Sequence, residues 1–492
     1  MLFKQKSKLI LALAGLILSS AVNAGTQSDR PNILVILTDD MGYADVGFNG
    51  STDIITPNLD ALAENGTMMT SAYNVHPFCG PSRAGIMTGR YPHKFGSQFN
   101  LPTSDNSGGL GIPTEETFIS EVLQDAGYFT GALGKWHLGE ESEFHPNNRG
   151  FDEYYGFLNG GHHYFPEHFD RRYQAERKKG LNRAIWHYLR PLEHNGKEVK
   201  ETEYITDALS REASSFIETA GDKKQPFFLY LAYNAPHTPL EAKAEDEAMF
   251  PNIKDKKRKT YAGMVYAVDR GVKRIVDSLK ATGQYDNTLI VFFSDNGGKL
   301  KAGGSNMPLR GSKGDVLEGG FRTPMFFHWP DKIPANNSYN HTVSTLDLFP
   351  TFASLGKATV AKTKKLDGKN IFTNLLNNTS ARAGESIYVL RHKADLSNAA
   401  ARRDNWKIIR NHNEPWRLYD VEKDKSEKND LSYMHPHVLR EMVADMEMWS
   451  WTNIQPKWFH IQAEGYHWRK NSMPRFHETF SLGDITNLNN AR

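Results

Sequence analysis

The chain has 492 residues, of which 39% are hydrophobic and 24% are charged, as in ordinary globular proteins. Its formal net charge is +2, so no overall excess of positive charge predicts nucleic acid or a membrane surface as a partner. This length predicts two or three domains, or one large α/β domain with an appendage. The single cysteine excludes an internal disulfide bond.

The first residues have the pattern of a secretory signal peptide. Three lysines precede an apolar run over residues 9–18, and small residues end at Ala24. We therefore expect residues 1–24 to be removed and the protein to be exported, either to the periplasm or to the medium. Removal of the three lysines takes the net charge to −1. No apolar stretch reaches the roughly 18 residues that a membrane helix needs, so we expect no membrane span.

Strands and helices alternate over residues 25–356. The apolar run NILVIL predicts a buried strand that ends at Asp39 and Asp40, and TPNLDALAENG predicts a helix with Thr56 as its N-cap. The helical segments EETFISEVLQDAG, YITDALSREASSFIETAG and YAGMVYAVDRGVKRIVDSLKATG each precede a strand, in the order YFTGALGKW, FFLYLAY and TLIVFFSDNGG. This alternation predicts a large, doubly wound, mostly parallel α/β sheet with helices on both faces.

The pattern changes at about residue 357. SIYVLR, NWKIIRN and WRLYDVEKD are candidates for short strands, and an amphipathic helix is predicted near residues 437–448. We therefore predict a smaller C-terminal α+β domain over residues 357–492. Its last part contains four tryptophans among histidines and basic residues, which are Trp449, Trp451, Trp458 and Trp468.

Carboxylate and amide side chains follow two of the predicted strands. Asp39 and Asp40 follow the first strand, and Asp295 and Asn296 follow TLIVFF. Because the carboxyl ends of parallel strands meet at one edge of a sheet, we expect these four side chains to lie together. They offer only hard oxygen donors, which favours Ca²⁺ over Zn²⁺, with Mg²⁺ as the less favoured occupant. The alternative for each pair is a cap or a turn.

Basic residues and histidines occur at the same strand ends. Lys135 and His137 lie in GKWHLG, and His237 lies in NAPHTP. Together with Arg83 and Lys313 they are candidates to surround a tetrahedral oxyanion and donate hydrogen bonds to it. The alternative is a solvated surface for the lysines and arginine, and a satisfied polar residue for each histidine.

The single cysteine, Cys79, begins the segment CGPSRAGIMTGR. This segment predicts a helix whose first N–H groups face an anion. In an oxidising compartment a lone thiol is either used chemically or buried and inert, and on composition alone the buried, inert thiol is the commoner outcome.

Taken together, these segments resemble the type I sulfatases of the alkaline phosphatase superfamily. CGPSRAGIMTGR matches the Cys-x-Pro-x-Arg signature of that family. Further matching segments extend over nearly all of the chain after residue 24, namely NILVILTDDMGYADVG, GKWHLG, RGFDEYYGF, NAPHTP, SDNGG, LRGSKGDVLEGGFRTP and WRLYDVEKD. The resemblance implies an alkaline phosphatase-like fold and a sulfuric ester hydrolase.

The resemblance also implies that Cys79 is a precursor. In this family a formylglycine-generating enzyme converts the signature cysteine to formylglycine (3-oxoalanine), reading the proline and arginine that are Pro81 and Arg83 here. The hydrated aldehyde has two geminal hydroxyls. One contacts a Ca²⁺ ion and attacks sulfur, and collapse to the aldehyde then expels sulfate. The implied Ca²⁺ ligands are Asp39, Asp40, residue 79, Asp295 and Asn296.

The same resemblance implies roles for the basic residues and histidines. Arg83 and Lys135 would hold the formylglycine and its charge, and Lys313 would bind sulfate oxygens. His237, together with Lys313, would protonate the leaving oxygen, and His137 would take the proton from the second hydroxyl.

The substrate is predicted from residues 160–196, an insert rich in histidine, arginine and aromatic residues. With the tryptophans near the C-terminus, this insert predicts a pocket that stacks sugar rings, and His163 is our predicted substrate contact. The alternative is that its aromatic residues belong to the core and its basic residues are solvated. Because the chain resembles secreted bacterial enzymes that act on sulfated polysaccharides, we expect a sulfated carbohydrate, with marine galactans such as carrageenan as one candidate.

Two other functions stay open at this point. A phosphate or phosphonate ester hydrolase can share the fold, since these esters share the tetrahedral geometry of sulfate. A sulfated-glycan binding protein without catalysis would keep residue 79 as a thiol. The sequence predicts neither the sugar, nor attack at chain ends or interiors, nor the oligomeric state.

Overall fold

The computed structural model describes residues 30–102, 109–179, 188–361, 364–393, 396–412, 414–461 and 464–466. The predicted signal peptide, part of the 160–196 insert and Trp468 lie outside the described residues. Within the described ranges, no helix combines the length and the apolar character needed to cross a bilayer.

The described residues form sixteen strands in three sheets. The strands are β1 (Asn32–Thr38), β2 (Thr67–Met69), β3 (Ala72–Tyr73), β4 (Phe129–Lys135), β5 (Glu153–Phe157), β6 (Glu193–His194), β7 (Lys197–Glu198), β8 (Phe227–Ala232), β9 (Thr288–Ser294), β10 (Met325–His328), β11 (Asn337–Tyr339), β12 (Val343–Ser344), β13 (Ser386–Lys393), β14 (Leu396–Arg403), β15 (Trp406–Asn411) and β16 (Arg417–Asp420).

Eleven α-helices lie within the described residues. They are α1 (Pro57–Glu64), α2 (Cys79–Thr88), α3 (Ile119–Asp125), α4 (Pro166–Lys178), α5 (Ile205–Lys223), α6 (Ala244–Ala248), α7 (Lys256–Ala281), α8 (Glu318–Phe321), α9 (Leu348–Leu355), α10 (Phe372–Asn377) and α11 (Pro436–Ser450).

The largest sheet has ten strands in the order β11-β2-β10-β9-β1-β8-β4-β5-β6-β7. Its centre, β9-β1-β8-β4-β5, is entirely parallel, and antiparallel pairs occur on both sides of it. In the parallel pair of β1 and β9, Thr38 lies opposite Ser294, so the two strands end at the same level. The predicted large, doubly wound, mostly parallel sheet is confirmed.

Helices cover both faces of this sheet because its central strands are apolar on both sides. In β1, Ile33, Val35 and Leu37 pack into one core with α2, α3 and α9. The alternate residues Leu34 and Ile36 pack into a second core with α1, α5 and α7. Such strands read as continuous apolar runs, which is why the sequence predicts them well.

A second, four-stranded antiparallel sheet follows in the order β13-β14-β15-β16 and packs against α11. The predicted C-terminal α+β unit is therefore present, and three of its strands coincide with SIYVLR, NWKIIRN and WRLYDVEKD. The fourth, β14, was not predicted. Its sequence LSNAAARR is rich in alanine, a weak strand former, and it is held by pairing on both sides.

The predicted domain boundary at residues 356/357 stays a prediction. Ile371 and Leu375 still pack into the first core, before the second sheet begins at Ser386.

A buried ionic cluster joins α8 to the C-terminal sheet. Lys407 on β15 contacts Glu318 at 2.9 Å and Glu427 at 2.8 Å, and all three side chains are fully buried. Arg322 contacts the same Glu318 at 3.0 Å. Buried charges are tolerated when they are paired in this way, so the cluster fixes the segment that follows Lys313 against the C-terminal sheet.

Candidate active site

The floor of the candidate site is formed where β1 and β9 end. Asp39 follows Thr38, and Asp295 follows Ser294, which lies opposite Thr38 in the sheet. The backbone N–H of Asp295 donates to the carbonyl of Thr38 at 3.0 Å, so the two loops leave the sheet together. Asp40 turns away with a left-handed φ of 64°. The carboxylates predicted to lie together are adjacent in the structure.

Three cations neutralise the three carboxylates of the floor. Lys135, the last residue of β4, donates to Asp39 Oδ2 at 2.6 Å. Arg83 on α2 donates from Nε to Asp295 Oδ2 at 2.9 Å. Lys313 Nζ lies 2.5 Å from Asp40 Oδ1. These side chains are at most 8% exposed, so the floor is a desolvated, charge-balanced cluster.

The pKa values reflect this pairing. Burial raises the pKa of Asp40, but the nearby Lys313 and His237 outweigh that effect and leave the pKa well below its ordinary value. Burial lowers the pKa of Lys313, yet attraction to Asp40 leaves it well above its ordinary value. At Asp295, burial and repulsion from Asp39 raise the pKa despite Arg83. Lys313 and Asp40 are therefore an ionised pair at neutral pH.

The floor retains oxygen atoms that no described group satisfies. Asp39 Oδ1, Asp40 Oδ2 and Asn296 Oδ1 are buried and accept no hydrogen bond. Ligand atoms of Asp39, Asp295 and Cys79 also lie within 4.8 Å of one another. Unsatisfied buried oxygens are costly unless a cation or another partner satisfies them. The predicted set of hard oxygen donors thus fits a Ca²⁺ ion.

Cys79 lies directly at this floor, as the first residue of α2. Its side chain is 2% exposed, and its Sγ lies 3.8 Å from Lys313 Nζ and 3.9 Å from Asn100 Nδ2. The Sγ occupies the place that a side-chain oxygen would take after conversion to formylglycine. Arg83, one turn further along the helix, also donates to the carbonyl of Lys135 at 2.7 Å. The signature residues therefore link the helix to the floor.

Two histidines stand above the floor. His137 follows β4 with a left-handed φ of 66°, and burial and Lys135 hold its pKa well below the ordinary value. His237 Nδ1 donates to the carbonyl of Thr238 at 2.7 Å, which leaves Nε2 facing Asp40 Oδ2 at 3.6 Å. Burial lowers the pKa of His237 to about 3, although Asp40 opposes this shift. Both imidazoles are neutral in the free site.

A cavity of about 470 Å³ opens above these residues. It is lined by predicted site residues, which are Cys79, His137, His237 and Lys313, and by residues that sequence reasoning missed, among them Asn100, Glu140, Asn159, Tyr188, Lys299 and His460. Tyr188 lies in the insert, and its ring packs edge-on against the ring of His237, with the two ring centroids 5.7 Å apart. Asn159 follows β5, is 7% exposed, and has an Oδ1 without a hydrogen-bond partner among the described residues.

His163, the predicted substrate contact, does not line this cavity. Its Nδ1 lies 3.0 Å from Glu241 Oε1, and its Nε2 lies 3.3 Å from Arg172 Nη1. Both ring nitrogens are therefore engaged within the protein, and the geometry gives no support to a contact with a ligand in the cavity. The predicted contact of the insert with the cavity is made by Tyr188 instead.

Comparison with protein families agrees with this site. Residues 31–358 match the sulfatase family model, and residues 312–449 match the model of the N-sulphoglucosamine sulphohydrolase C-terminal region. The chain belongs to the sulfatase family, and the predicted resemblance to type I sulfatases and the predicted enzyme class are confirmed.

Curated relatives include the uncharacterized sulfatase YdeN of Escherichia coli, which is 35% identical over 398 residues, or 70% of this chain. The alignment spans 65% of YdeN, slightly less than two thirds of its length. The N-acetylgalactosamine-6-sulfatase of Canis lupus familiaris is 34% identical over 75% of this chain and 69% of its own.

Similar solved structures include Ps i-CgsB in complex with k-i-k-neocarrahexaose, with 58% identity and a TM-score of 0.90 over 92% of this chain and 100% of that one. The PsFucS1 sulfatase from Pseudoalteromonas sp. has 27% identity and a TM-score of 0.72 over 85% and 90% of the two chains. A phosphonate monoester hydrolase from Silicibacter pomeroyi, at 19% identity and a TM-score of 0.60 over 87% and 96%, shares the fold alone.

Proposed function

We propose that this sulfatase removes sulfate from a sulfated carbohydrate, using formylglycine at position 79 and a bound Ca²⁺ ion. The observation that carries the proposal is the position of Cys79 at the bottom of the cavity, 3.8 Å from Lys313 and beside Asp39 and Asp295. A neocarrahexaose bound to a protein 58% identical over 92% of this chain supports a carrageenan-type galactan as the substrate class.

The charges of the site suit a sulfate ester. The three floor carboxylates are balanced by Arg83, Lys135 and Lys313, so a divalent cation would give the closed site a net positive charge. A sulfate monoester carries one negative charge and released sulfate carries two, so a net positive charge of the site favours the binding of both anions. Lys313 Nζ lies 3.8 Å from Cys79 Sγ and would hold sulfate oxygens through its ammonium hydrogens.

Two absent groups would supply chemistry that ordinary side chains lack. A hydrated formylglycine would supply a hydroxyl nucleophile and, through its second hydroxyl, a return to the aldehyde without attack of water on sulfur. Ca²⁺ would supply positive charge that stabilises an alkoxide at residue 79. Asp39, Asp40 and Asn296 would hold the ion through their unsatisfied oxygens, and Asp295 would join them through the carboxylate that lies within 4.8 Å of the Asp39 carboxylate.

The chain's own residues then orient residue 79 and move protons. Arg83 and Lys135 stay charged in the buried floor and fix the position of residue 79. His237 lines the cavity, and its Nε2, once protonated, would carry the proton to the leaving oxygen, together with Lys313. His137 would accept the proton of the second hydroxyl, since burial keeps its imidazole neutral. A bound sulfate would raise the pKa of both imidazoles through its negative charge.

Export and maturation are part of the same proposal. An exported sulfatase would act on polymers outside the cytoplasm, and a formylglycine-generating enzyme would convert Cys79 before the site closes around it. The 2% exposure of Cys79 supports modification of the unfolded chain, because in the folded protein the thiol lies at the bottom of the cavity, out of reach of a second protein.

The test is sulfate release from sulfated neocarra-oligosaccharides by protein whose residue 79 is converted, with the Cys79→Ala protein as the control. We expect release by the converted protein alone, its loss on chelation of divalent cations and its return with Ca²⁺. Faster cleavage of a matched phosphate or phosphonate ester would favour the ester-hydrolase alternative. Tight glycan binding without any release would favour a binding protein.

A further inference from the structure

A C-terminal segment, residues 451–461, runs from the end of α11 to the cavity; we name it the strap. It lies beside residues 93–101, which follow the signature helix. Along this contact the backbone N–H of Ile454 donates to the carbonyl of His93 at 2.9 Å, and that of Lys457 donates to the carbonyl of Gly96 at 2.9 Å. The strap is therefore held in register along its length.

A buried tryptophan fixes the strap to the first core. Trp458 is 5% exposed, and its Nε1 donates to the carbonyl of Phe99 at 2.8 Å. Burial of an indole with its N–H satisfied is strongly stabilising. Gly96 permits the close approach, since a Cβ there would lie 2.7 Å from Lys457 Cγ. The strap is a fixed part of the fold.

The segment that holds the strap also contacts the start of the signature helix. Asn100 Oδ1 accepts a hydrogen bond from the backbone N–H of Gly80 at 2.9 Å, and Asn100 Nδ2 lies 3.9 Å from Cys79 Sγ. The position of the strap is thus set relative to the reacting residue through one short segment.

His460 and Ile461 bring the end of the strap into the lining of the cavity. His460 Nδ1 lies 3.1 Å from the carbonyl of Leu101. A carbonyl only accepts, so Nδ1 carries the hydrogen, and in the neutral ring Nε2 is then an acceptor. Ile461 is 48% exposed and adds an apolar surface beside it. An acceptor next to an apolar surface is suited to a sugar ring, which offers hydroxyl donors and a C–H face.

We propose that the strap, beside Asn159 and Tyr188, forms the sugar-binding wall of the cavity and that His460 determines specificity by accepting a hydrogen bond from a hydroxyl near the reacting sulfate. This inference rests on the proposed function, since it requires a carbohydrate in the cavity. Both matched family models end before the strap, at residues 358 and 449, so the strap lies outside the regions that those models match.

The test compares a sulfated neocarra-oligosaccharide with p-nitrophenyl sulfate, which has no sugar, after mass measurement has verified formylglycine in every protein. We expect His460→Ala to lower kcat/KM about tenfold or more on the oligosaccharide, mainly through KM, and to leave the aryl sulfate within about twofold. His460→Gln, whose amide oxygen can accept, should recover part of the loss. His437→Ala, an exposed histidine on α11, is the matched control.

The outcomes separate the inference from the proposed function. Equal losses on both esters, or no loss on either, would overturn a role for His460 in sugar recognition. If the wild-type protein cleaves the aryl sulfate but no neocarra-oligosaccharide, the proposed substrate class fails. The same variants are then compared on galactose 6-sulfate and N-acetylgalactosamine 6-sulfate, where a loss confined to sugars still supports the wall and unchanged rates overturn it.

Discussion

The floor and the wall of the cavity are built in different ways. The floor consists of three carboxylates and Lys135 at the ends of strands, together with Arg83 from α2 and Lys313 from a loop, and each charge is buried and paired with an opposite one. The wall consists of Asn159, Tyr188 and His460, which come from a loop, the insert and the C-terminal strap. Strand register fixes the floor, whereas packing between distant segments fixes the wall.

This difference separates reaction from recognition. The floor contains the charges that a sulfate group needs, and its geometry tolerates little change because every cation has a carboxylate partner. The wall carries neutral polar and aromatic groups that are suited to a sugar. Substitutions in the floor should therefore affect all substrates, and substitutions in the wall should affect carbohydrate substrates alone.

The largest expected effect is at residue 79. Cys79→Ala should reduce sulfate release by about a thousandfold or more on every ester, because no other group replaces the nucleophile. The fold should persist, since a small buried side chain is replaced by a slightly smaller one. Initial rates and thermal melting curves check both statements. A variant that keeps a modest share of activity would show that residue 79 is not the reacting group.

Lys313 tests the charge balance of the floor. Lys313→Ala should lower kcat about 100- to 1000-fold on both carbohydrate and aryl sulfates, because it removes a cation that lies 3.8 Å from Cys79 Sγ. Lys301→Ala, at an exposed position on the same loop, should leave kcat unchanged. A loss seen only with carbohydrates would indicate that Lys313 binds the sugar and not the sulfate group.

Asn159 tests the wall with a smaller expected effect. Its Oδ1 is buried without a partner among the described residues, so a bound hydroxyl would satisfy it. Asn159→Ala should raise KM for the oligosaccharide about five- to tenfold and leave the aryl sulfate unchanged. The exposed Asn252→Ala serves as the control. Equal changes on both substrates would contradict the separation of floor and wall.

The last expected effect concerns stability beneath the strap and leaves the rate on either substrate unchanged. Burial lowers the pKa of His93 to about 4, and its backbone carbonyl accepts a hydrogen bond from the strap. Because the unfolded chain takes up this proton near pH 6.5, the free energy of unfolding should fall by about 1.4 kcal/mol per pH unit between pH 6.5 and 4. The stabilisation that comes from keeping His93 neutral is therefore fully present above pH 6.5.

His93→Gln should flatten this pH dependence, although the buried His76, His392 and Arg391 nearby remain. Melting curves between pH 7.5 and 4.5 measure the change. An unchanged slope in the variant would show that His93 does not titrate on unfolding.

Sequence reasoning predicted the floor because its residues follow recognisable strands. Continuous apolar runs predicted β1, β4, β8 and β9, and the parallel sheet then brought Asp39, Lys135 and Asp295 to one edge. The residue types alone do not show that β1 and β9 end at the same level. The register of the two strands in the structure shows it.

The wall was not predictable in the same way. His460 lies on the strap, far along the chain from Cys79, and only the contacts of Trp458 and Lys457 bring it to the cavity. His163 was chosen from composition, which does not reveal that Glu241 holds its ring. Local patterns specify strands and their ends, and they do not specify which loops meet above them.

The most direct test of the central claim is the mass of the peptide that contains residue 79, from protein purified from its native host. We predict the mass of formylglycine at this position, in protein that releases sulfate from a carbohydrate ester. An unmodified thiol in active protein would contradict the proposed nucleophile. An unmodified thiol in protein that binds sulfated glycans without releasing sulfate would contradict catalysis itself.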